Sequence, residues 1–313
     1  MEDKNFAGKN LSSLQHFLIV GFSDLPQMQI PLFVIFSLMY LMALLGNLII
    51  MATIYARSQL QTPMYFFLSN LAFLDISYIS AIFPQMLAHY FQNGRSISLT
   101  ECLLQIYFFI YLVSTEFFLL TVMAYDRYVA ICNPLHYTTI MNRTFCMQLA
   151  SGSWALSFLV PLAHTVLMSK LTFCQPHRLN HFFCDVAALL KISCSNTHII
   201  DMITYTLGAT VLLISFLSII TSYVNITVSI QKIKSKRGRQ KAFSTCASHL
   251  TVVILFYGSL SFAYVRPSST YSLNDNKVMS LSYIVVTPLC NPIIYGIRNT
   301  DFKNALWNSK NRP

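Results

Sequence analysis

Met123–Tyr137 reads MAYDRYVAICNPLHY, and Asp126, Arg127 and Tyr128 within it close a long apolar run that starts near Cys102. A charged triplet therefore sits where a hydrophobic helix leaves its apolar surroundings. Three letters alone are a weak signal, so the surrounding chain has to carry the reading. A helix that crosses the hydrocarbon core needs about 20 mainly apolar residues. Seven stretches qualify: Pro31–Tyr55, Pro63–Leu87, Glu101–Asp126, Phe145–Met168, Ile200–Ile230, Ala242–Val265 and Lys277–Ile297. The expected fold is an all-α membrane protein, one seven-transmembrane helix bundle over residues 31–297. Residues 1–30 and 298–313 would form its two tails. The composition agrees, with 55% hydrophobic and 10% charged residues against roughly 25% charged in soluble domains.

Orientation follows from Lys and Arg near the span ends, because the richer side is cytoplasmic. Thirteen of the 21 fall on one side: Arg57, Arg127, Arg143, Lys232, Lys234, Lys236, Arg237, Arg239, Lys241, Arg298, Lys303, Lys310 and Arg312. That side is inside, and the amino terminus is extracellular. Net charge +10 would suit a nucleic-acid binder, yet the positives lie in short loops between apolar spans, so no nucleic-acid partner is expected. Phe17–Phe22 is too short an apolar core for a signal peptide, so the first span is expected to direct insertion. Asn10-Leu11-Ser12 is a glycosylation acceptor on the outer side. After Ile297, Phe302, Ala305 and Leu306 share a helical face, as in a short helix lying on the inner membrane surface.

Of eight cysteines, Cys102, Cys174, Cys184 and Cys194 face the oxidising side, where disulfides persist. Four cysteines allow three pairings. Cys174, His177, His181 and Cys184 also have a spacing that zinc could use, unless disulfides consume the thiolates. Inside the membrane, Asp75 and Glu116 lie at one level, about 16 to 18 Å from the cytoplasmic end. With no Lys or Arg beside them, they must share a proton, bind a cation, or stand neutral and hydrogen-bonded to groups such as Asn47 or Asn291. Phe109, Glu116 and Arg127 fall within about 20° of one another around the third helix, so one face looks into the bundle throughout. No nucleophile and base arrangement argues for an enzyme, and no internal repeat supports a transporter.

Several stretches together resemble the odorant (olfactory) receptors, a branch of the rhodopsin-like G-protein-coupled receptors. They are MAYDRYVAIC, Gly46-Asn47, PMYFFLSNLAFLD ending at Asp75, Ser222-Tyr223, KAFSTCASHL from Lys241, Phe256-Tyr257-Gly258, and PLCNPIIY from Pro288. HFFCDVAALLKISCS, from His181, is similar to the tetrapod-type (class II) members. Gln61 and Cys290 depart from the usual residues. The resemblance implies disulfides Cys102–Cys184 and Cys174–Cys194, and a possible sodium ion at Asp75 and Glu116 with no other cofactor. It also implies an activation set of Asp126, Arg127, Tyr128, Pro134, Tyr137, Tyr223, Asn291, Pro292 and Tyr295. The implied partners are a small volatile odorant and a heterotrimeric G protein of the stimulatory olfactory type, at the plasma membrane of olfactory cilia. Phe109, Ile110, Val113 and Ser114 would form one wall of the ligand pocket. Tyr257, Leu260, Ser261 and Tyr264, recurring at three- and four-residue spacing, would form the other. Leu207, Val211 and Ile284 are added by resemblance. A rhodopsin-like receptor for another ligand is the alternative, although Phe109 stands where amine receptors carry an aspartate; a transporter or channel is a third reading.

Overall fold

The computed structural model describes residues 16–21, 28–88, 95–173, 178–264, 284–297 and 300–307. Helices α1 (Gln29–Ala56), α2 (Pro63–Ala88), α3 (Leu99–Cys132), α4 (Arg143–Met168), α5 (His198–Lys232) and α6 (Lys236–Tyr264) are followed by α7 (284–297) and the short α8 (Thr300–Trp307). The first five are each long and apolar enough to cross a bilayer, and α6 and α7 carry apolar stretches at Cys246–Ser261 and Ile284–Gly296. Each apolar run of the sequence thus holds a helix, while the ends differ for local reasons. The α3 helix starts at Leu99 because Ser98 and Glu101 form a reciprocal capping box: the Ser98 hydroxyl accepts from the Glu101 N–H, and the Glu101 carboxylate accepts from the Ser98 N–H. Its inner end lies at Cys132, beyond the expected Asp126. Asp126 and Arg127 pair with each other, and Val129 beyond them is buried, so the helix stays packed past its charges.

Helix α3 is the hub, packed against α2, α4 and α5 and touching α6, while α1 lies along α2 and the inner end of α7. Apolar side chains along α1 and α5, such as Leu38, Met42, Leu45, Leu213, Leu217 and Val224, remain exposed. In water, two such faces would be large sticky patches; in a bilayer they meet lipid. Lipid gives helices no hydrophobic reason to associate, so close packing and interhelical hydrogen bonds matter more. Trp154 Nε1 donates to Asn70 Oδ1 at 3.2 Å, tying α4 to α2. The Tyr107 hydroxyl donates to the Phe158 carbonyl at 2.9 Å, tying α3 to α4.

Residues 1–30 read from the sequence as a plain tail, yet four of them form a strand. His16–Ile19 is the central strand, β1, of a three-stranded sheet. It runs antiparallel to β2 (Arg95–Ser98) and parallel to β3 (Arg178–Leu179). Phe17 and Ile19 turn inward onto Ile97, Leu103, Leu179 and Leu189, a second apolar core outside the main bundle. Gly21, at φ 54°, then carries the chain away while its N–H donates to the His181 carbonyl. The bundle is therefore all-α, with a small β cap on the end that carries the start of α3. At the other end, Phe302 and Ala305 of α8 bury against the bundle and Leu306 is exposed.

Candidate functional site

A cavity of about 720 Å³ opens between α3, α4, α5 and α6, beneath the loop that follows α4. That volume suits a small organic molecule. Phe109, Ile110, Val113 and Ser114 of α3 line it, as do Leu207 and Val211 of α5 and Leu260 of α6. Other expected residues lie elsewhere. The Tyr257 hydroxyl donates to Ser215 Oγ at 2.7 Å and its ring packs edge-on against Phe117, so it ties α6 to α5 under the cavity. Ser261 and the buried Ile284 are not among the lining residues, and the side chain of Tyr264 lies outside the described residues. The sequence reading missed the α4 contribution, Val160 and His164, and also Phe117 and Thr204. A signal existed: Cys146, Ala150, Ser153, Ser157, Pro161, His164 and Met168 recur every three or four residues and form the buried stripe of α4.

The roof is pinned in place. Cys102 and Cys184 form a disulfide. Gln105 supports it, its carbonyl accepting from the Cys184 N–H at 2.9 Å and its amide donating to Gln85 Oε1 at 2.7 Å. Asp185 caps the short helix Val186–Lys191, its carboxylate accepting from the N–H groups of Ala187 and Ala188. Cys194 is disulfide-bonded, whereas Cys174, His177 and Asn10 lie outside the described residues. The zinc spacing loses the Cys184 thiolate to the disulfide, and among the described residues no cluster of three or more His, Cys, Asp or Glu could hold a metal ion.

Below the cavity, Asp75 accepts a hydrogen bond from Asn291 Nδ2 at 2.8 Å, joining α2 to α7. Asp75 Oδ1, Glu116 Oε1, Asn47 Oδ1 and Asn291 Oδ1 are all buried with no hydrogen-bond partner among the described residues. Asn47 Nδ2 donates to the carbonyls of Ala43 and Pro288, at 2.9 and 3.1 Å. The second bond has a cause in the backbone. Pro292 has no N–H to offer the carbonyl four residues before it, which is that of Pro288. Gly46 lies against the same ring, where a Cβ would come within 2.9 Å of Pro292 Cβ.

At the inner mouth, Arg127 pairs with buried Asp126, whose second oxygen accepts from the Tyr137 hydroxyl at 2.8 Å. Burial, then the charge and hydrogen bond of Asp126, push the Tyr137 phenol well above its ordinary range, so it remains a donor. Tyr128 packs beside Ile226, Ile230 and Cys246, and Pro134 opens an exposed turn, Pro134–His136. Nearby, Tyr223 is 2.7 Å from His249 Nδ1, and His249 Nε2 is 3.2 Å from the Leu120 carbonyl. A carbonyl can only accept, so Nε2 carries the proton and Nδ1 accepts from Tyr223. His249 thus joins α3, α5 and α6, a role that its place inside KAFSTCASHL did not disclose. Tyr295 is buried on α7. Lys232, Lys234, Lys236, Arg237 and Arg239 stand exposed where α5 passes to α6.

The family model described as olfactory receptor matches residues 36–309. The chain is similar to human "Olfactory receptor 1L4", with 46% identity over 312 residues, 100% of this chain and 99% of that protein. It is 47% identical over 300 residues to human "Olfactory receptor 1F1", covering 96% of each. "Olfactory receptor 1f45" of Rattus norvegicus is 46% identical over 297 residues, 95% of each chain.

Proposed function

The chain belongs to the olfactory receptor family, and from that premise we propose how this seven-transmembrane odorant receptor takes its ligand and passes the signal on. The odorant occupies the cavity between α3, α4, α5 and α6, and the response is activation of a stimulatory, olfactory-type G protein that raises cyclic AMP. Its place of action is the plasma membrane of olfactory cilia. One observation carries the ligand site: a mainly apolar cavity of about 720 Å³ on the helix that ends in the Asp126–Arg127 pair. A volatile that buries roughly 250 Å² of apolar surface gains about 6 kcal/mol before the cost of association, and one hydrogen bond adds about 1 kcal/mol. Binding should therefore be no tighter than about 10 μM, and weaker once that cost is counted.

The packing supports a route for the signal. Phe117 lines the cavity and touches Phe256 and Tyr257 of α6, with ring centroids 4.8 and 5.1 Å apart. A ligand that displaces Phe117 moves α6, and His249 lies eight residues, about 12 Å, further down the same helix. Shifting α6 there strains the His249 junction and opens the inner mouth around Arg127, where the exposed basic run from Lys232 and the turn at Pro134 and Tyr137 meet the G protein. A sodium ion fits the acid level, since the unpaired atoms there are all oxygen acceptors on Asp75, Glu116, Asn47 and Asn291. Sodium bound there would offset two adjacent carboxylates and hold α2, α3 and α7 together.

The test is a cyclic-AMP screen of volatiles against the chain at the cell surface, with the signal abolished by removal of the stimulatory G protein. Ligand-dependent flux without a G protein would replace this reading with a transporter or channel.

A further inference from the structure

His164 is 3% exposed and lines the cavity from α4. Both of its ring nitrogens are buried without a hydrogen-bond partner among the described residues. A neutral imidazole offers one N–H donor and one bare nitrogen acceptor, and leaving both unmet inside an apolar wall is costly. Ser114, 5% exposed on α3, lines the same cavity. Its neighbours Thr115 and Thr121 return their hydroxyl protons to the carbonyls of Tyr111 and Phe117, at 2.8 Å each. Ser114 makes no such bond among the described residues, so its proton too is free for a ligand.

From this arrangement we propose that His164, with Ser114, is the polar anchor of the cavity, and that it selects apolar volatiles carrying a single hydroxyl, that is, alcohols and phenols. The proposal rests on the odorant reading above. A hydroxyl donates its proton to the bare imidazole nitrogen while its oxygen accepts from Ser114, meeting two needs with one group. A ketone or ether only accepts and leaves that nitrogen bare. A hydrocarbon meets neither need. A carboxylate enters badly: among the described residues that line the cavity there is no Lys or Arg, and one of them, Asp185, is itself an acid. Wherever water reaches these groups in the empty pocket, the entering molecule must replace its hydrogen bonds, and a hydroxyl does so best.

The test uses the full chain in cells with a cyclic-AMP reporter and an extracellular tag for surface level. A library of volatiles sets alcohols beside ketones, methyl ethers and hydrocarbons on shared linear, terpene and aryl skeletons. The alcohol should be the most potent member of each responding set. His164→Phe should raise its half-maximal concentration about tenfold or more, while the ketone and ether shift by less than about twofold. His164→Gln, which keeps a donor and an acceptor, should recover much of the loss, and Ser114→Ala should weaken alcohols independently, covering the case in which the phenylalanine variant fails to reach the surface. Equal potency of alcohol and ether in the parent chain, or an equal shift of all classes in His164→Phe, overturns the anchor and leaves the odorant function standing. Silence of the surface-displayed chain across the whole library counts against both.

Discussion

Replacing Asn47 by alanine tests whether the tie between α1 and α7 follows from a proline. Asn47 donates to two carbonyls, and they are not equivalent. Ala43 lies within a regular helix, so its oxygen already accepts from the backbone four residues on. Pro288 has no such partner because position 292 is proline, and Asn47 supplies the donor that the backbone lacks. Losing it leaves a buried carbonyl bare, which costs about 1–3 kcal/mol; hydrogen bonds between membrane helices measure nearer 0.6 on average, so the lower half of that range is expected. At about 2–4 °C per kcal/mol, the purified receptor in detergent should melt roughly 2–8 °C lower. The discriminating measurement is a double-mutant cycle with Pro292→Ala, which restores an N–H at position 292. If the proline is the cause, Asn47→Ala should cost markedly less in that background than in the parent. Equal cost in both backgrounds would refute the reasoning and make Asn47 an ordinary packing residue.

Other expectations follow from the same geometry. Cys102→Ser and Cys184→Ser should each strip receptor from the surface, because the bond closes a loop of 82 residues, worth about 4 kcal/mol by chain entropy; the double variant should be scarcely worse, and a free Cys102 thiol in peptide mapping would refute the pairing. Arg127→Ala should lose odorant-driven cyclic AMP at unchanged surface level, whereas intact signalling would reduce Arg127 to a membrane anchor. Glu116→Gln should reach the surface in part, with altered basal signalling and a weaker response to sodium, since one carboxylate holds a cation less well than two. Identical sodium dependence in variant and parent would remove the ion from the acid level.

What the sequence disclosed depended on the range of the signal. Seven apolar runs and an excess of inner positives mark the bundle because membrane insertion depends on local hydropathy, which each segment carries alone. The α3 wall of the pocket was legible for a similar reason: Phe109, Ile110, Val113 and Ser114 are fixed on one face by helical period. Two classes of feature stayed hidden. Strand β1 is four residues long, and it owes its existence to β2 and β3, each supplied from far along the chain, so HFLI by itself reads as tail. Tyr257 shows the second class. Its spacing suits the pocket wall, yet its hydroxyl is taken by Ser215, and rotation of α6 against α5 is a tertiary choice that period cannot decide. His164 lies between the two. The stripe that buries it is visible in α4, but stripe position says only that a residue is inside, and an inward histidine usually finds a partner in the core. Its functional meaning arises because the neighbouring helices leave a space instead of a donor and acceptor, and that space belongs to four helices at once.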